Sequence, residues 1–205
     1  MGALVEGPDG KPRCGWGTSA PDYVAYHDAE WGRPVTDDVG IFERLTLEAF
    51  QSGLSWLTIL RKRENFRAAF AGFDFERVAE YGRRDLDRLM ADAGIVRNRA
   101  KIEAAIANAG ATRDLAANGE SLAAIAWAHR PESESAPADL ADVPATTGES
   151  KALAKELKKR GFRFVGPTTA YALMQAVGIV NDHIEGCAVR DEVEAEREAA
   201  LRRLA

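Results

Sequence analysis

The chain has 205 residues, 46% of them hydrophobic, enough to bury a sizeable core as one large domain or two small ones. No stretch has the length and apolarity of a membrane span, the start lacks the apolar run of a signal peptide, and two distant cysteines make no disulfide framework, so a cytoplasmic protein is expected. A net charge of −5 argues against a nucleic-acid partner only until its distribution is read, because acids and bases are segregated along the chain.

Residues 1–12 read as a polar, flexible leader. Beyond them apolar positions recur three and four apart and no alternating run of useful length appears, which predicts an all-α protein. Thr36, Asp37 and Asp38 can cap and charge the start of a helix running through Ile41, Phe42, Leu45 and Ala49 and ending near Gly53. Ser55 can cap the next, which carries Trp56, Ile59, Leu60, Arg63, Phe66 and Phe70. Asp74 opens a short helix with Val78, and residues 84–92 supply another that stops at Gly94. Residues 98–118 form a long alanine-rich helix ending at Gly119, and a short helix surrounds Trp127. The segment after His129 carries three prolines among acids and serines, so it reads as a loop or hinge.

Between Pro131 and Ser150 lie Glu132, Glu134, Asp139, Asp142 and Glu149 and no base, which accounts for the whole charge excess. The sign then inverts: Lys151, Lys155, Lys158, Lys159, Arg160 and Arg163 face only Glu156. Taken alone, this run, like Arg61-Lys62-Arg63, is a solvated helix face. Residues 149–160 suit a helix, residues 161–166 a break, and Pro167 the first turn of a second helix running from Thr168 to about Val177. Two helices joined by a glycine-bounded hairpin, with bases before the break, make a helix-hairpin-helix element that holds a DNA phosphate on exposed backbone N–H groups. The candidate DNA contacts are Lys159, Arg163, Gly166 and Thr168. An ordinary αα-hairpin with a glycine-rich turn is the plainer alternative.

Cys14, His27, His183 and Cys187 have the composition of one tetrahedral zinc site closed from both ends of the chain. His183 and Cys187, four apart, can face the same way on one helical turn, whereas Cys14 and His27 need a loop to converge. The alternative is a pair of buried thiols and two ordinary histidines. Glu48 falls at helical spacing from Ile41 and Leu45, on the buried side of its helix, where a carboxylate needs a donor from the protein or from a ligand. Trp16, Tyr23, Tyr26, Trp31 and Trp56 lie close by in sequence, and metal-binding neighbours would pin Trp16 and Tyr26 into a rigid pocket.

Cys14-Gly15-Trp16, Tyr26-His27-Asp28-Ala29-Glu30-Trp31-Gly32, Glu48 with Gln51-Ser52-Gly53-Leu54-Ser55-Trp56, Lys62-Arg63-Glu64-Asn65-Phe66, Asp92-Ala93-Gly94-Ile95, and Lys158 to Gly166 through Asn181-Asp182-His183 together resemble the bacterial DNA-3-methyladenine glycosylase I family. The resemblance runs from about Arg13 to Cys187, which would make residues 13–187 one glycosylase domain and residues 188–205 a helical or disordered tail.

The resemblance implies an all-α helix-hairpin-helix glycosylase whose N- and C-terminal regions are joined by a structural zinc, with Cys14, His27, His183 and Cys187 as ligands. It makes Glu48 the pocket carboxylate, with Tyr26 beside it in the catalytic pair, and Trp16, Tyr26 and Trp56 the walls around the excised base. Asp182 is not assigned a catalytic role, since it neighbours a metal ligand. Ala49-Phe50, beside Glu48, is a place where pocket shape can vary. The expected reaction is release of free 3-methyladenine from double-stranded DNA by base flipping and hydrolysis, performed by a monomer. No lysine placed beside the hairpin to form a Schiff base is recognised, so no strand cleavage is expected. The competing readings are a non-catalytic, zinc-containing helix-hairpin-helix DNA-binding module and a zinc hydrolase or deaminase, which would need an open coordination position.

Overall fold

The structure, a computed structural model, describes residues 4–204. It is mostly helical. A hairpin of two strands, β1 (Leu4–Glu6) and β2 (Pro12–Cys14), leads through a 3-10 turn at Gly15–Thr18 into α1 (Pro21–Ala29). Then follow α2 (Asp38–Gln51), α3 (Trp56–Ala69), α4 (Phe75–Ala79), α5 (Arg83–Ala91), α6 (Arg99–Ala117), α7 (Leu122–Ala128), α8 (Gly148–Lys159), α9 (Pro167–Ala176) and α10 (Arg190–Leu204).

The helix starts follow from local chemistry. Asp37, Ser55, Asp74, Asn98 and Ser121 each accept a hydrogen bond from the backbone N–H three residues on, capping α2, α3, α4, α6 and α7. Thr147 and Ser150 cap α8 reciprocally, and Pro167 opens α9 behind Gly166. At the centre, α2 packs against α3, α6, α7 and α9. Its Phe42 and Phe50 meet Phe66, Phe70 and Phe73 in an aromatic core, all fully buried. A second, smaller apolar cluster gathers Cys14, Ile184, Cys187 and Val189 under Leu4, Trp16, Leu140 and Val143.

Four features differ from the sequence reading. The described part of the stretch read as a leader forms the β-hairpin: Leu4 pairs with Cys14 and Glu6 with Pro12. Its clamp is Arg13, buried, whose guanidinium donates to Asp9 and Asp28 over 2.6–3.0 Å. Helix α1 was not expected, because its apolar and polar residues show no helical stripe; Pro21 starts it and the tertiary fold completes it. The turn after Ile184 contains Gly186 in the left-handed region, so His183 and Cys187 approach each other across a loop and not along a helix. Ala49 and Phe50 face away from the pocket: Phe50 packs in the core, its ring tilted against that of Phe66 with centroids 4.8 Å apart. Among the described residues no helix is long and apolar enough to cross a membrane.

Candidate active site

Helix α2 carries Glu48 to the wall of a cavity of about 310 Å³, where its side chain is 6% exposed. Gln51, one turn further on the same face, joins it. No protein hydrogen bond reaches the Glu48 carboxylate among the described residues. Burial therefore pushes its pKa up to about 8, opposed only by the charge of Arg44 one turn away. Tyr26, buried on α1, also lines the cavity, and burial together with the nearby Glu48 charge raises its phenol.

Aromatic faces complete this side. The rings of Tyr26 and Trp56 are 5.3 Å apart, and Trp16 lies 6.4 Å from Tyr26. Trp16 is itself held edge-on by Tyr23 at 5.6 Å and Trp31 at 4.9 Å, both of which line the cavity. Trp56 is fixed through the start of α3, where the Leu57 N–H donates to the Tyr23 hydroxyl over 2.9 Å. Opposite them stand Ala172 and Gln175 of α9, Asp182, and Leu140 and Val143 from the long loop. Asp182 Oδ2 accepts from the Tyr171 hydroxyl at 2.7 Å and from Gln175 Nε2 at 2.8 Å. Sequence reasoning named Glu48, Tyr26, Trp16 and Trp56, and the structure brings all four to one cavity. It missed Gln51, which its three-residue spacing from Glu48 would have revealed, and Leu140 and Val143, which sit in a loop with no pattern to betray burial.

The four soft ligands also converge. Cys14, His27, His183 and Cys187 are buried, and their ligand atoms all lie within 4.8 Å of one another. Sulfur-to-nitrogen separations are 3.8 Å for Cys14–His183, 3.6 Å for Cys187–His27 and 3.7 Å for Cys187–His183. A tetrahedral ion with metal–sulfur bonds near 2.3 Å and metal–nitrogen bonds near 2.0–2.1 Å requires edges of about 3.6 Å. The donor set fits a metal. The far ring nitrogens are occupied as such a site needs: His27 Nδ1 meets Asp28 at 2.8 Å and His183 Nε2 meets the Trp31 carbonyl at 3.1 Å. The contact with Cys14, reinforced by the two imidazoles, pulls the Cys187 thiol far down, toward the thiolate that binds metal. Gly17 is obligatory here, since a β-carbon on it would stand 2.7 Å from the His27 ring.

At the far end of α9, Gly161 to Gly166 form a tight turn from α8. Lys159, Arg163 and Thr168 are exposed around it, and Gly166 opens the α9 N-terminus with no atom near where a β-carbon would project. Buried Asn108 of α6 grips the turn, accepting from the Arg163 N–H at 2.7 Å and donating to its carbonyl at 3.1 Å. Arg160, part of the same basic run, is committed to Glu120 and Glu156. The other cluster is spent inside the protein: Arg61 on Asp22, Lys62 on the Ala93 and Gly94 carbonyls, and Arg63 on Glu30.

The profile of the methyladenine glycosylase family matches residues 16–191. DNA-3-methyladenine glycosylase 1 of Escherichia coli K12 is 50% identical over 178 residues, which span 85% of this chain and 95% of that protein. The crystal structure of a 3-methyladenine DNA glycosylase I is 49% identical with a TM-score of 0.83, over 86% of this chain and 98% of that one. A tyrosine-to-phenylalanine variant of 3-methyladenine DNA glycosylase I in complex with 3-methyladenine is 34% identical with a TM-score of 0.81, over 87% of this chain and 97% of its own. By the extent of these matches and the fold they share, the chain belongs to the methyladenine glycosylase family.

Proposed function

We propose that this protein is a monofunctional DNA N-glycosylase that removes 3-methyladenine from alkylated double-stranded DNA, the opening step of base excision repair. The observation that carries the reading is Glu48: a buried carboxylate with no donor of its own, facing a cavity walled by Trp16, Tyr26 and Trp56. Such a group is stabilised by a ligand that brings both N–H donors and positive charge. N3-methylation puts that charge on adenine and weakens the glycosidic bond, so the base leaves without being protonated. The enzyme's task is to extrude the nucleotide and hold it, at a cost of a few kcal/mol in lost stacking. Flat aromatic faces favour the electron-poor cationic ring, and Glu48 accepts from the amino edge that distinguishes adenine from guanine. Water then attacks the sugar C1′ and the neutral base departs. Among the described residues no lysine lines the cavity, and buried Lys101 donates to the Phe50 and Ser52 carbonyls, which favours simple hydrolysis over Schiff-base chemistry.

The helix-hairpin-helix reading of α8, the turn and α9 places Lys159, Arg163, Gly166 and Thr168 on the DNA backbone. The reading of the four-ligand cluster is one structural zinc per chain, held by Cys14, His27, His183 and Cys187; a bound ion supplies a cross-link, and four protein donors leave no position for an activated water. The protein is taken as a monomer. A DNA-binding module without activity has no use for an unpartnered glutamate in an aromatic cage. Incubation with methylated DNA followed by chromatography of the supernatant is the direct test. Free 3-methyladenine with an unbroken DNA strand is expected; the absence of any released base would overturn the proposal.

A further inference from the structure

Among the described residues three other than glycine have backbones in the left-handed region: Ala71, Phe73 and Phe164, with φ of 52°, 58° and 55°. A β-carbon is costly there, so each invites the question of what offsets it. For Phe73 the answer lies inside the protein. Its ring is fully buried, stacked 5.9 Å from Phe70 and edge-on to Phe42 at 6.1 Å. Ala71 carries only a methyl group in the same turn. Phe164 has no such compensation: its side chain is 44% exposed, at the tip of the turn between α8 and α9.

The turn cannot relax to hide it. Phe162 and Val165 on either side are anchored in the core, and Asn108 holds both backbone groups of Arg163. The backbone that carries the phenyl ring is thus pinned, in a turn where Lys159 and Arg163 are exposed as well and which leads into the open start of α9. The folded protein gains little from that ring, and its surroundings are those of a polyanion partner. Ala172 and Gln175 of α9 line the cavity, so the helix that the turn leads into also reaches the base pocket.

We propose that Phe164 is a DNA-contacting residue, its ring packing against the deoxyribose face of the backbone while Arg163, Lys159 and the α9 N-terminus take the adjoining phosphates. This rests on the DNA-binding reading of the hairpin, and adds to it an apolar anchor independent of charge. Sugar and phosphate contacts carry no base information, so the effect is on affinity for any duplex.

The test is binding of a fluorescein-labelled duplex by the full chain across a salt series. Phe164→Asn keeps a residue that tolerates the left-handed region but removes the ring, and Phe164→Tyr keeps the ring. Phe164→Asn is expected to weaken binding about five- to ten-fold at every salt concentration, with the slope of log affinity against log salt and the melting temperature retained, and Phe164→Tyr to restore affinity. Wild-type affinity in Phe164→Asn overturns the proposal. So does a loss accompanied by a shallower slope or a lower melting temperature, which would make the ring's role structural or electrostatic. Lys159→Ala and Arg163→Ala in the same assay separate the two readings: if neither changes the slope, the hairpin is not the DNA interface at all.

Discussion

A carboxylate kept from water without a donor is a liability to the folded state whenever it is ionised, and Glu48 is such a group. With burial raising its pKa from 4.5 to about 8, the folded chain keeps a proton that the unfolded chain has lost throughout that interval. Stability from this group is fully present below pH 4.5, falls by about 1.4 kcal/mol per pH unit as pH rises, and is flat again above about pH 8. Glu48→Gln removes the titration. Its melting temperature at pH 8 is therefore expected to exceed wild type, with the gap closing toward pH 5, in a thermal-shift series over pH. The same substitution replaces a charge-assisted acceptor by a neutral amide, so kcat/KM for 3-methyladenine release should fall by roughly ten- to a hundred-fold. Wild-type excision by this variant would remove Glu48 from the chemistry, and a higher melting temperature alongside lost activity would mark a group held in place for its ligand. Legibility at this scale was uneven. Glu48 stands out as a charge on an apolar helix face, and Trp16 and Tyr26 as aromatics beside candidate metal ligands, whereas Trp56 was named for the pocket only through the family resemblance. Leu140 and Val143 are ordinary residues whose place in the cavity wall comes from packing alone.

Helices α8 and α9 were readable because capping, a proline at a first turn and glycines at a break are local signals. Their function is testable locally too: Lys159→Ala and Arg163→Ala should each reduce the salt slope of DNA binding by a little less than one unit, measured by titration at several salt concentrations. Helix α10, which runs beyond the residues matched by the family profile, shows the opposite case. Its sequence is helix-prone and its role is invisible until Arg197, 6% exposed, is seen donating to the Gly178 and Ile179 carbonyls at 2.7 and 2.8 Å while pairing with Glu134 and Glu194. That guanidinium joins the end of α9 to the loop bearing Leu140 and Val143. Arg197→Met leaves two carbonyls and a half-buried acid without their partner, and is expected to cost about 3–5 kcal/mol in denaturant unfolding. A loss below about 1 kcal/mol would show that the helix is only loosely docked.

At the scale of the whole molecule, residues near the two ends of the chain meet in one buried cluster. Cys14 and His27 come from the hairpin and α1, His183 and Cys187 from the loop before α10, and two of the pocket aromatics, Trp16 and Tyr26, adjoin a member of the cluster. If the cluster holds zinc, metal analysis finds about one ion per chain, and a strong chelator lowers the melting temperature and loosens the pocket together, since closing so long a loop constrains the unfolded chain most. A chain free of metal with an unchanged melting curve would overturn that reading. Composition, periodicity and caps were enough to announce helices, their order and the kinds of residue able to do chemistry, because those properties depend on neighbours a few positions away. They were also enough to nominate the four ligands by chemical type. Convergence across some 170 residues of chain is another matter. Whether His183 and Cys187 share a helix or a loop, whether Phe50 faces the pocket or the core, and whether Glu48 finds an internal partner are set by how distant segments pack, and no local spacing encodes that.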